Sequence, residues 1–217
     1  MAPVDRKPFA LTTDLVIFAF DGASLRLLLI RRAKEPFENQ WALPGGFLEP
    51  DETLDACAER ELTEETGLEL RQLEQLAAFS RPGRDPRGDV VSVAYLALVR
   101  ANDQALRAGS DAAEAAWHDI DALPALAFDH DEIVAAGRRR LADALYTTKS
   151  AFKLLPDSFT LAEAQRAFEA VVGASIDKRN FRAWVQNNAP LSETGEARRG
   201  QHRPAKLYKL VEDGSQA

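Results

Sequence analysis

Short apolar runs separated by turn residues characterise the first half of the chain. Residues 12–20 are rich in Val, Ile and Phe, and residues 25–32 follow them after the sequence Asp-Gly-Ala-Ser. Apolar runs of this length, bounded by turn residues, predict two strands joined by a hairpin. Further strands are predicted at 41–43, 68–79, 90–99 and 114–120.

Helical patterns interrupt these strands twice. A helix is predicted at 52–66, after a Pro-Gly-Gly loop. Asp51 or Thr53 can cap its start, and Gly67 stands where a helix usually stops. A second helix is predicted at 128–145. Strands and helices in this order predict an α+β fold built as an α/β/α sandwich.

Three glutamates of the first helix lie close to its apolar side. Counting about 100° per residue from Leu54, the other apolar residues lie within roughly 80° and form the side expected to be buried. Glu61 and Glu65 fall within about 20° of Leu54, and Glu64 within about 80°. Carboxylates placed there repel each other and resist desolvation unless a cation joins them. A solvated acidic face is one interpretation, but the shared apolar sector favours a site for a hard divalent cation such as Mg²⁺.

The last third of the chain has a different pattern. A helix capped by Thr160 is predicted at 161–172. After a Gly-Ala-Ser turn, a further helix capped by Asp177 is predicted at 178–187. A basic hairpin ending in a strand follows. Helix, Gly turn, helix and hairpin in this order indicate a winged helix-turn-helix.

The net charge also differs between the first two thirds and the last third of the chain. The net charge is −7, but residues 1–148 carry 16 basic and 26 acidic side chains, whereas residues 149–217 carry 11 and 8. Between residues 177 and 209 the balance is +5, from 8 basic and 3 acidic residues. This basic module favours a DNA-binding domain, and a small protein-interaction domain with a solvated basic face is the alternative.

The candidate DNA contacts fall into two groups. Side chains on the last helix suit base edges in the major groove, and those at the hairpin tip suit phosphates or the minor groove. The helix candidates are Lys178, Arg179, Asn180 and Arg182, and the hairpin candidates are Arg198, Arg199, His202 and Arg203.

Arginines also occur around the Pro-Gly-Gly loop. Two of them end the second predicted strand, and three more lie in the Pro- and Gly-rich segment 80–89, which includes Arg87. Guanidinium groups placed together suit a diphosphate, and a solvated loop is the alternative. The residues expected to bind an anionic ligand are Arg31, Arg32, Gly46, Arg81 and Arg84.

Composition limits the class of protein. The chain has 217 residues, enough for one or two domains, and its single cysteine excludes an internal disulfide and fits a reducing compartment. No apolar run approaches the ~18 residues of a membrane span. The N-terminal segment lacks an apolar signal region, so we expect a cytoplasmic protein.

The segment 46–68, GFLEPDETLDACAERELTEETGL, resembles the 23-residue Nudix box. Every fixed position is matched, by Gly46, Glu52, Arg60, Glu61, Leu62, Glu64, Glu65, Gly67 and Leu68. The resemblance implies that Glu61, Glu64 and Glu65 bind Mg²⁺. It also implies that Arg60 holds the glutamates in place and that Glu52 supports the junction of loop and helix. Glu61, Glu64 and Arg60 are then the catalytic candidates for metal-assisted attack of water on a pyrophosphate, with a glutamate as the base.

Nearly the whole chain is similar to the Nudix-related transcriptional regulators of NAD metabolism. The segments WALPGGF, DPRGDVVSVAYLALV, LAFDH and DKRNFR…RPAKLYKL carry this resemblance. It implies a Nudix domain at 9–147 that senses ADP-ribose or a related nucleotide. It further implies a winged helix-turn-helix domain at 153–212 that binds a double-stranded DNA operator as a homodimer. Many members of that family have an eroded Nudix box, whereas this chain retains every box residue.

Two functions are therefore open. The first is a repressor of NAD-metabolism or sugar-metabolism genes whose DNA binding is controlled by an ADP-ribose-like nucleotide. The second is an active Mg²⁺-dependent ADP-ribose pyrophosphatase with an accessory C-terminal domain. The intact box motivates the second, and the basic winged helix-turn-helix favours the first.

Overall fold

The computed structural model describes residues 8–70, 72–100, 112–145, 150–198 and 204–211. The strands in these ranges are β1 (Ala10–Phe20), β2 (Leu25–Arg32), β3 (Trp41–Ala42), β4 (Gly45–Phe47), β5 (Glu74–Phe79), β6 (Val90–Val99), β7 (Ala112–Asp119), β8 (Leu191–Arg198) and β9 (Ala205–Leu210). The helices are α1 (Leu54–Thr66), α2 (His130–Ala144), α3 (Leu161–Val172) and α4 (Lys178–Asn188), with a 3-10 helix at Ser150–Leu154. None of the helices described is long and apolar enough to cross a membrane.

Seven of these strands form one sheet. Its order is β3-β2-β1-β6-β5, with β4 paired to β1 and β7 paired to β2. Residues 15–19 of β1 are completely buried, which accounts for their apolar character. The predicted hairpin between β1 and β2 is confirmed, because the Asp21 carboxylate accepts the N–H groups of Ala23 and Ser24, both at 2.8 Å.

The chain forms two compact units. The first consists of the described residues of 8–17, 27–97 and 112–137. The second consists of 18–26, 98–100, 138–145, 150–198 and 204–211. Helix α1 belongs to the first unit, and α3, α4 and the β8–β9 hairpin belong to the second. The domain bounds given above stay a prediction.

Helix α1 begins two residues later than the sequence predicts. Thr53 is its N-cap and accepts the Ala56 N–H at 3.2 Å, while Gly67 ends the helix in the left-handed conformation, with φ of 72°. The loop prediction is wrong at Gly45, where β4 begins and pairs antiparallel with β1. A Cβ at Gly45 would lie 2.0 Å from the Thr13 carbonyl oxygen, so the strand pairing requires glycine there.

Strand β5 is shorter than predicted. It begins at Glu74 and not at Leu68. The Leu68 N–H donates to the Thr66 hydroxyl at 3.2 Å, and the Thr63 hydroxyl donates to the Leu68 carbonyl at 3.3 Å. The end of α1 therefore uses backbone groups that a longer strand would need for its ladder.

The C-terminal elements follow the predicted winged helix-turn-helix order. Thr160 and Glu163 form a capping box at the start of α3, and Gly173 ends the helix with φ of 73°. Asp177 caps α4 by accepting the Asn180 N–H at 2.8 Å. The two helices share an aromatic core in which the Phe168 ring lies 5.1–5.5 Å from the rings of Phe152, Phe181 and Trp184. Strands β8 and β9 then pair antiparallel as the wing.

Candidate functional site

Arg60 of α1 connects the acidic side chains that surround it. Its Nε and Nη2 atoms donate to the two carboxylate oxygens of Glu52, at 2.8 and 3.0 Å. Its Nη1 atom donates to Glu61 at 2.7 Å and to Glu64 at 3.4 Å. Its Nη2 atom also reaches the Phe47 carbonyl oxygen, at 3.1 Å. One guanidinium group therefore joins α1 to β4 and to the loop that precedes the helix.

The two glycines of β4 let buried glutamates of α1 approach the backbone. A Cβ on Gly46 would lie only 2.1 Å from Oε1 of Glu61. The Gly45 N–H donates to Oε2 of Glu65 at 2.9 Å. Any larger residue at Gly46 would have to displace Glu61 or the strand.

Burial and hydrogen bonding shift the pKa values of the glutamates around Arg60 in opposite directions. Desolvation raises the pKa of Glu61, and it raises the pKa of Glu65 to about 8 although Glu65 accepts the Gly45 N–H. Hydrogen bonds from Arg60 instead lower the pKa of Glu52 to about 2. The Glu64 side chain is 56% exposed. Glu61 and Glu65 are therefore the two box carboxylates whose ionised forms a bound cation would stabilise.

The predicted metal ligands fit a divalent cation only in part. Their carboxylate oxygens are the donors that Mg²⁺ prefers, and burial disfavours the ionised forms of Glu61 and Glu65. Glu61 and Glu64 are both hydrogen-bonded to Arg60, however. In the portion of the chain that the structure describes, no three His, Cys, Asp or Glu side chains converge closely enough to hold a metal ion. Glu61, Glu64 and Glu65 are thus close in sequence but are not gathered around one point.

A cavity lies next to β4, within the first compact unit. It is bordered by residues from β1, β2, β4, the loop before β6 and the start of α2. Its lining residues are Thr12, Asp14, Arg32, Leu43, Gly45, Gly46, Phe47, Arg84, Asp85, Arg87, Phe128 and His130. Because Gly45 and Gly46 also contact the glutamates of α1, the cavity adjoins the acidic cluster.

Two arginines and two aromatic rings give this cavity its chemistry. The Arg87 guanidinium carbon lies 4.5 Å from the centre of the Phe47 ring and 5.4 Å from that of Phe128. The Arg32 guanidinium carbon lies 4.9 Å from the Phe128 ring centre. Burial, followed by repulsion from Arg87, lowers the pKa of Arg32. The Arg87 guanidinium also donates to both oxygens of Asp85, at 2.7–3.1 Å, and Arg32 and Arg87 are candidate groups for binding an anion.

A buried polar network forms the other part of the cavity wall. Arg84 donates through Nε and Nη2 to both oxygens of Asp129, at 3.0 and 2.7 Å, and Nη2 lies 3.5 Å from Asp14. The Leu43 N–H donates to Nδ1 of His130 at 2.9 Å, so that ring carries its proton on Nε2, which lies 3.4 Å from Asp14. Burial lowers the pKa of His130. His130 is therefore a neutral, buried residue that connects the residue after β3 to the start of α2, consistent with a structural role.

The residues predicted to bind an anion divide into two sets. Arg32, Gly46 and Arg84 line the cavity. Arg31 and Arg81 are not among its lining residues, since Arg31 donates to the Asn39 carbonyl at 3.2 Å and Arg81 pairs with Glu132 at 3.2 Å.

The sequence-based set omitted several lining residues. Arg87 was recognised in the loop but was not included among the predicted ligands. Thr12, Phe47 and Phe128 carried no signal, because their proximity depends on the pairing of β1 with β4 and on where α2 begins. The segments WALPGGF, which ends in Phe47, and LAFDH, which contains Phe128, were singled out for their family resemblance, but neither indicated a ligand contact.

The candidate DNA contacts of α4 lie on one accessible face of that helix. Phe181 and Val185 are buried, whereas the candidate residues of this helix are exposed. A shallow groove runs along this face, lined by Asp177, Lys178, Arg179, Arg182, Ala183 and Gln186. A helix with its apolar side against α3 and basic side chains outward has the form required for insertion into a major groove.

Arg198 has a different environment. It forms an ion pair with Glu163 of the capping box and donates to the Ser158 carbonyl at 3.5 Å. Its guanidinium group therefore helps to attach the wing to the start of α3. The other three hairpin candidates, Arg199, His202 and Arg203, lie outside the described residues.

Comparisons with known proteins match both parts of the chain. Residues 8–137 match the family model of the NUDIX domain, and residues 151–210 match the model of the NrtR DNA-binding winged helix domain. A relative from Acinetobacter baylyi, an ADPR responsive transcriptional repressor NtrR, is 38% identical over 207 residues, which are 93% of this chain and 82% of that protein. An ADP-ribose pyrophosphatase from Methanocaldococcus jannaschii is 45% identical over 109 residues, which are 50% of this chain and 63% of that enzyme.

Solved structures show the same relationship. The crystal structure of Shewanella oneidensis NrtR complexed with a 27mer DNA has a TM-score of 0.78 at 33% identity, and 93% of each chain is covered. The NUDIX domain of that protein complexed with ADP ribose has a TM-score of 0.58 at 34% identity, covering 65% of this chain and 94% of that one. The predicted fold class, a Nudix α/β/α sandwich followed by a winged helix-turn-helix, is confirmed. The chain belongs to the Nudix family, and to those members that carry an NrtR DNA-binding winged helix domain after the NUDIX domain.

Proposed function

We propose that the protein is a transcriptional repressor whose NUDIX domain binds ADP-ribose or a closely related nucleotide and thereby controls DNA binding. The main support for the proposal is that one chain contains both a candidate nucleotide site and a candidate DNA-binding surface. One is an anion-binding cavity lined by Arg32 and Arg87, and the other is a basic, exposed face on α4. The repressor from Acinetobacter baylyi, with which the chain aligns over almost its full length, supports the same function.

The cavity offers groups for each part of such a ligand. The guanidinium groups of Arg32 and Arg87 suit the diphosphate, because planar fork-shaped donors match phosphate oxygens. The rings of Phe47 and Phe128 offer faces for packing. The Asp85 carboxylate holds Arg87 in place, because it accepts hydrogen bonds from the backbone N–H and the guanidinium group of that residue. A purely apolar ligand would cover the polar groups of this wall without making hydrogen bonds to them.

The DNA-binding part would act through α4 and the wing. Lys178, Arg179, Asn180 and Arg182 would enter the major groove, where such side chains can hydrogen-bond to base edges. Arg199, His202 and Arg203 would add contacts to the backbone or minor groove. A homodimer on a palindromic operator would place two α4 helices in successive major grooves, as for other two-fold symmetric regulators.

Hydrolysis of ADP-ribose is the second candidate function, and the complete box is the observation that favours it. Nudix hydrolases generally use divalent cations, and the box assigns Glu61, Glu64 and Glu65 to Mg²⁺. To hold it, the three carboxylates would have to converge, with Glu61 and Glu64 released from Arg60. When bound, the metal supplies positive charge for the phosphoryl oxygens and lowers the pKa of a water ligand. The chain's own contribution is that Arg60 positions Glu61 and Glu64, whose carboxylates can take up a proton.

The test of the repressor function is a DNA-binding titration on the region upstream of the protein's own gene. Tight, salt-sensitive binding that ADP-ribose weakens is expected, since each phosphate contact releases counterions. The double variant Arg179→Ala/Arg182→Ala should lose the operator and still bind ADP-ribose. Lys153→Ala, which removes an exposed charge outside α4, is the control and should bind DNA almost normally. Operator affinity that is indifferent to ADP-ribose would refute the proposal.

Release of AMP from ADP-ribose in the presence of Mg²⁺ tests the second candidate. If the box is active, Glu64→Gln should abolish release, whereas Glu59→Gln, on an exposed position of the same helix, should not. Equal rates in Glu64→Gln and the unmodified protein would exclude a role for the box in any turnover that is seen.

A further inference from the structure

Thr12 of β1 has an unusual environment in the cavity wall. The residue is 6% exposed and pairs with Phe47 of β4. Its Oγ1 atom is buried, and among the described residues that atom has no hydrogen-bond partner. The adjacent Thr13 is also buried, but its hydroxyl lies 3.4 Å from the sulfur atom of Cys57. Of these neighbouring threonines, one has a partner within the protein and the other borders the cavity.

An unpaired buried hydroxyl is costly. Roughly 90% or more of buried polar groups in proteins are hydrogen-bonded, and leaving one unsatisfied costs about 1–3 kcal/mol. Valine has the same branched shape, favours strands and carries no such cost. At a position inside β1, a structural role alone would thus be served at least as well by valine as by Thr12. A ligand of the cavity that reached this hydroxyl would remove that cost.

The surroundings of Thr12 define the chemistry of what it would bind. Arg32 and Arg87 make the cavity favourable to an anion, and Gly45 and Gly46 expose backbone beside it. A threonine hydroxyl can donate to a phosphate oxygen and can also exchange hydrogen bonds with a ribose hydroxyl. An apolar ligand would leave the hydroxyl as unsatisfied as before.

We infer that Thr12 is a binding residue for the nucleotide, and that its hydroxyl donates a hydrogen bond to an oxygen of the phosphate–ribose portion. This inference rests on the proposed function, because it takes ADP-ribose as the ligand of the cavity. The Thr12 hydroxyl thus gains a hydrogen-bond partner only when the nucleotide binds, because folding alone does not provide one.

The experiment compares three variants of the full chain by calorimetric titration with ADP-ribose and by thermal unfolding without ligand. Thr12→Val removes the hydroxyl and keeps the shape, Thr12→Ser keeps the hydroxyl, and Thr13→Val removes a hydroxyl that already has a partner. We expect Thr12→Val to weaken ADP-ribose binding by about tenfold or more, as for other hydrogen bonds to charged groups. Thr12→Ser should stay within about threefold of the unmodified protein, a difference small beside that of a lost hydrogen bond.

Thermal unfolding separates binding from a structural role. The unliganded Thr12→Val protein should melt at the same temperature as the unmodified protein or higher, because an unsatisfied group has been removed. Thr13→Val should melt lower and bind ADP-ribose normally. A structural role for Thr12 would give the opposite result, with lower stability in Thr12→Val.

Each remaining outcome has a defined meaning. If the unmodified protein binds ADP-ribose and Thr12→Val binds it equally well, the role of Thr12 is wrong and the proposed function stands. If Thr12→Val loses affinity but is also destabilised as much as Thr13→Val, the residue is structural and the inference fails. If the unmodified protein does not bind ADP-ribose, the proposed effector is refuted, and the role of Thr12 is refuted with it.

Discussion

Glu65 is a buried carboxylate whose protonation is set by opposing effects. It is 6% exposed, yet it accepts a hydrogen bond from the Gly45 backbone. Desolvation outweighs that hydrogen bond, and the nearby charges of Glu61 and Asp14 act in the same direction as burial, whereas Arg32 opposes them. The residue is thus held close to the boundary between its neutral and ionised forms near neutral pH.

The stability of the metal-free protein should therefore depend on Glu65 and on pH. The pKa of this group is about 8 in the folded protein and 4.5 as its ordinary value. Between these values the folded state holds a proton that the unfolded state has lost, so the contribution of Glu65 to the free energy of unfolding declines as pH rises from about 4.5 to about 8. Urea unfolding in the presence of a chelator at several pH values measures this decline.

Glu65→Gln isolates that contribution. The amide oxygen can still accept the Gly45 N–H, but the side chain no longer titrates. We expect the variant to match the unmodified protein near pH 4.5 and to be the more stable one near pH 8. Glu59→Gln, at an exposed position, should leave the pH dependence unchanged. Parallel curves for Glu65→Gln and the unmodified protein would show that Glu65 is already ionised in the folded state.

Among the secondary-structure elements, those fixed by local signals agree best with the sequence. Helix α3 has its predicted bounds because Thr160 and Glu163 form a capping box and Gly173 adopts the left-handed conformation. Strands β2 and β6 also have their predicted bounds, since turn or loop residues precede them. By contrast, β4 was predicted as a loop, because its existence depends on distant pairing with β1 that Gly45 alone permits.

In the candidate site, too, the parts that depend on local sequence could be predicted and those that depend on distant contacts could not. The box helix and its acids could be predicted because their spacing in sequence places them on one side of a helix. The cavity could be predicted only in part, since a guanidinium group next to an aromatic ring depends on tertiary structure. Arg87 and Phe47, whose groups lie 4.5 Å apart, are separated by the whole of α1 and β5 along the chain.

The junction of α3 with the wing leads to a prediction at this scale. Glu163 accepts hydrogen bonds from the backbone and hydroxyl of Thr160, and it also pairs with Arg198. Thr160→Ala should lower the free energy of unfolding by about 1 kcal/mol through loss of the cap. Glu163→Ala leaves the hydrogen bond from the backbone N–H of residue 163 to the Thr160 hydroxyl and removes the side chain that accepts the Thr160 N–H. It also removes the ion pair, which is about half exposed on the Arg198 side and should account for roughly 0.2–1 kcal/mol of the loss.

Denaturant unfolding of the two variants and of Arg198→Ala measures these effects. Loss of the ion pair alone should make Arg198→Ala only slightly less stable than the unmodified protein. The destabilisation of Glu163→Ala should shrink with added salt, because a half-exposed ion pair is screened. A destabilisation that is the same at high salt would mean that Glu163 stabilises α3 through its helix contacts alone.

At the scale of the whole molecule, the charge distribution matches a division of function. The segment 1–148 has a net negative charge, and it contains the cavity. The arginines of the cavity are therefore a local positive cluster within a negatively charged part of the chain. The basic segment 177–209 contains α4 and the wing. A negative first half would be repelled by DNA, and this leaves the basic face of α4 as the part that approaches the phosphate backbone.

If the nucleotide controls DNA binding, the control must be reciprocal. ADP-ribose changes the affinity of the protein for its operator by some factor. The operator must change the affinity of the protein for ADP-ribose by the same factor. We expect typical coupling of about 5–150-fold, measured by titrating ADP-ribose into the protein alone and into its operator complex. Arg179→Ala/Arg182→Ala provides the control, because added operator should leave its ADP-ribose affinity unchanged. The titrations should use Glu64→Gln, so that hydrolysis cannot consume the ligand. A factor of one in this variant would mean that ADP-ribose itself does not control DNA binding, whereas a factor well above one would identify ADP-ribose itself, and not a product of its cleavage, as the signal.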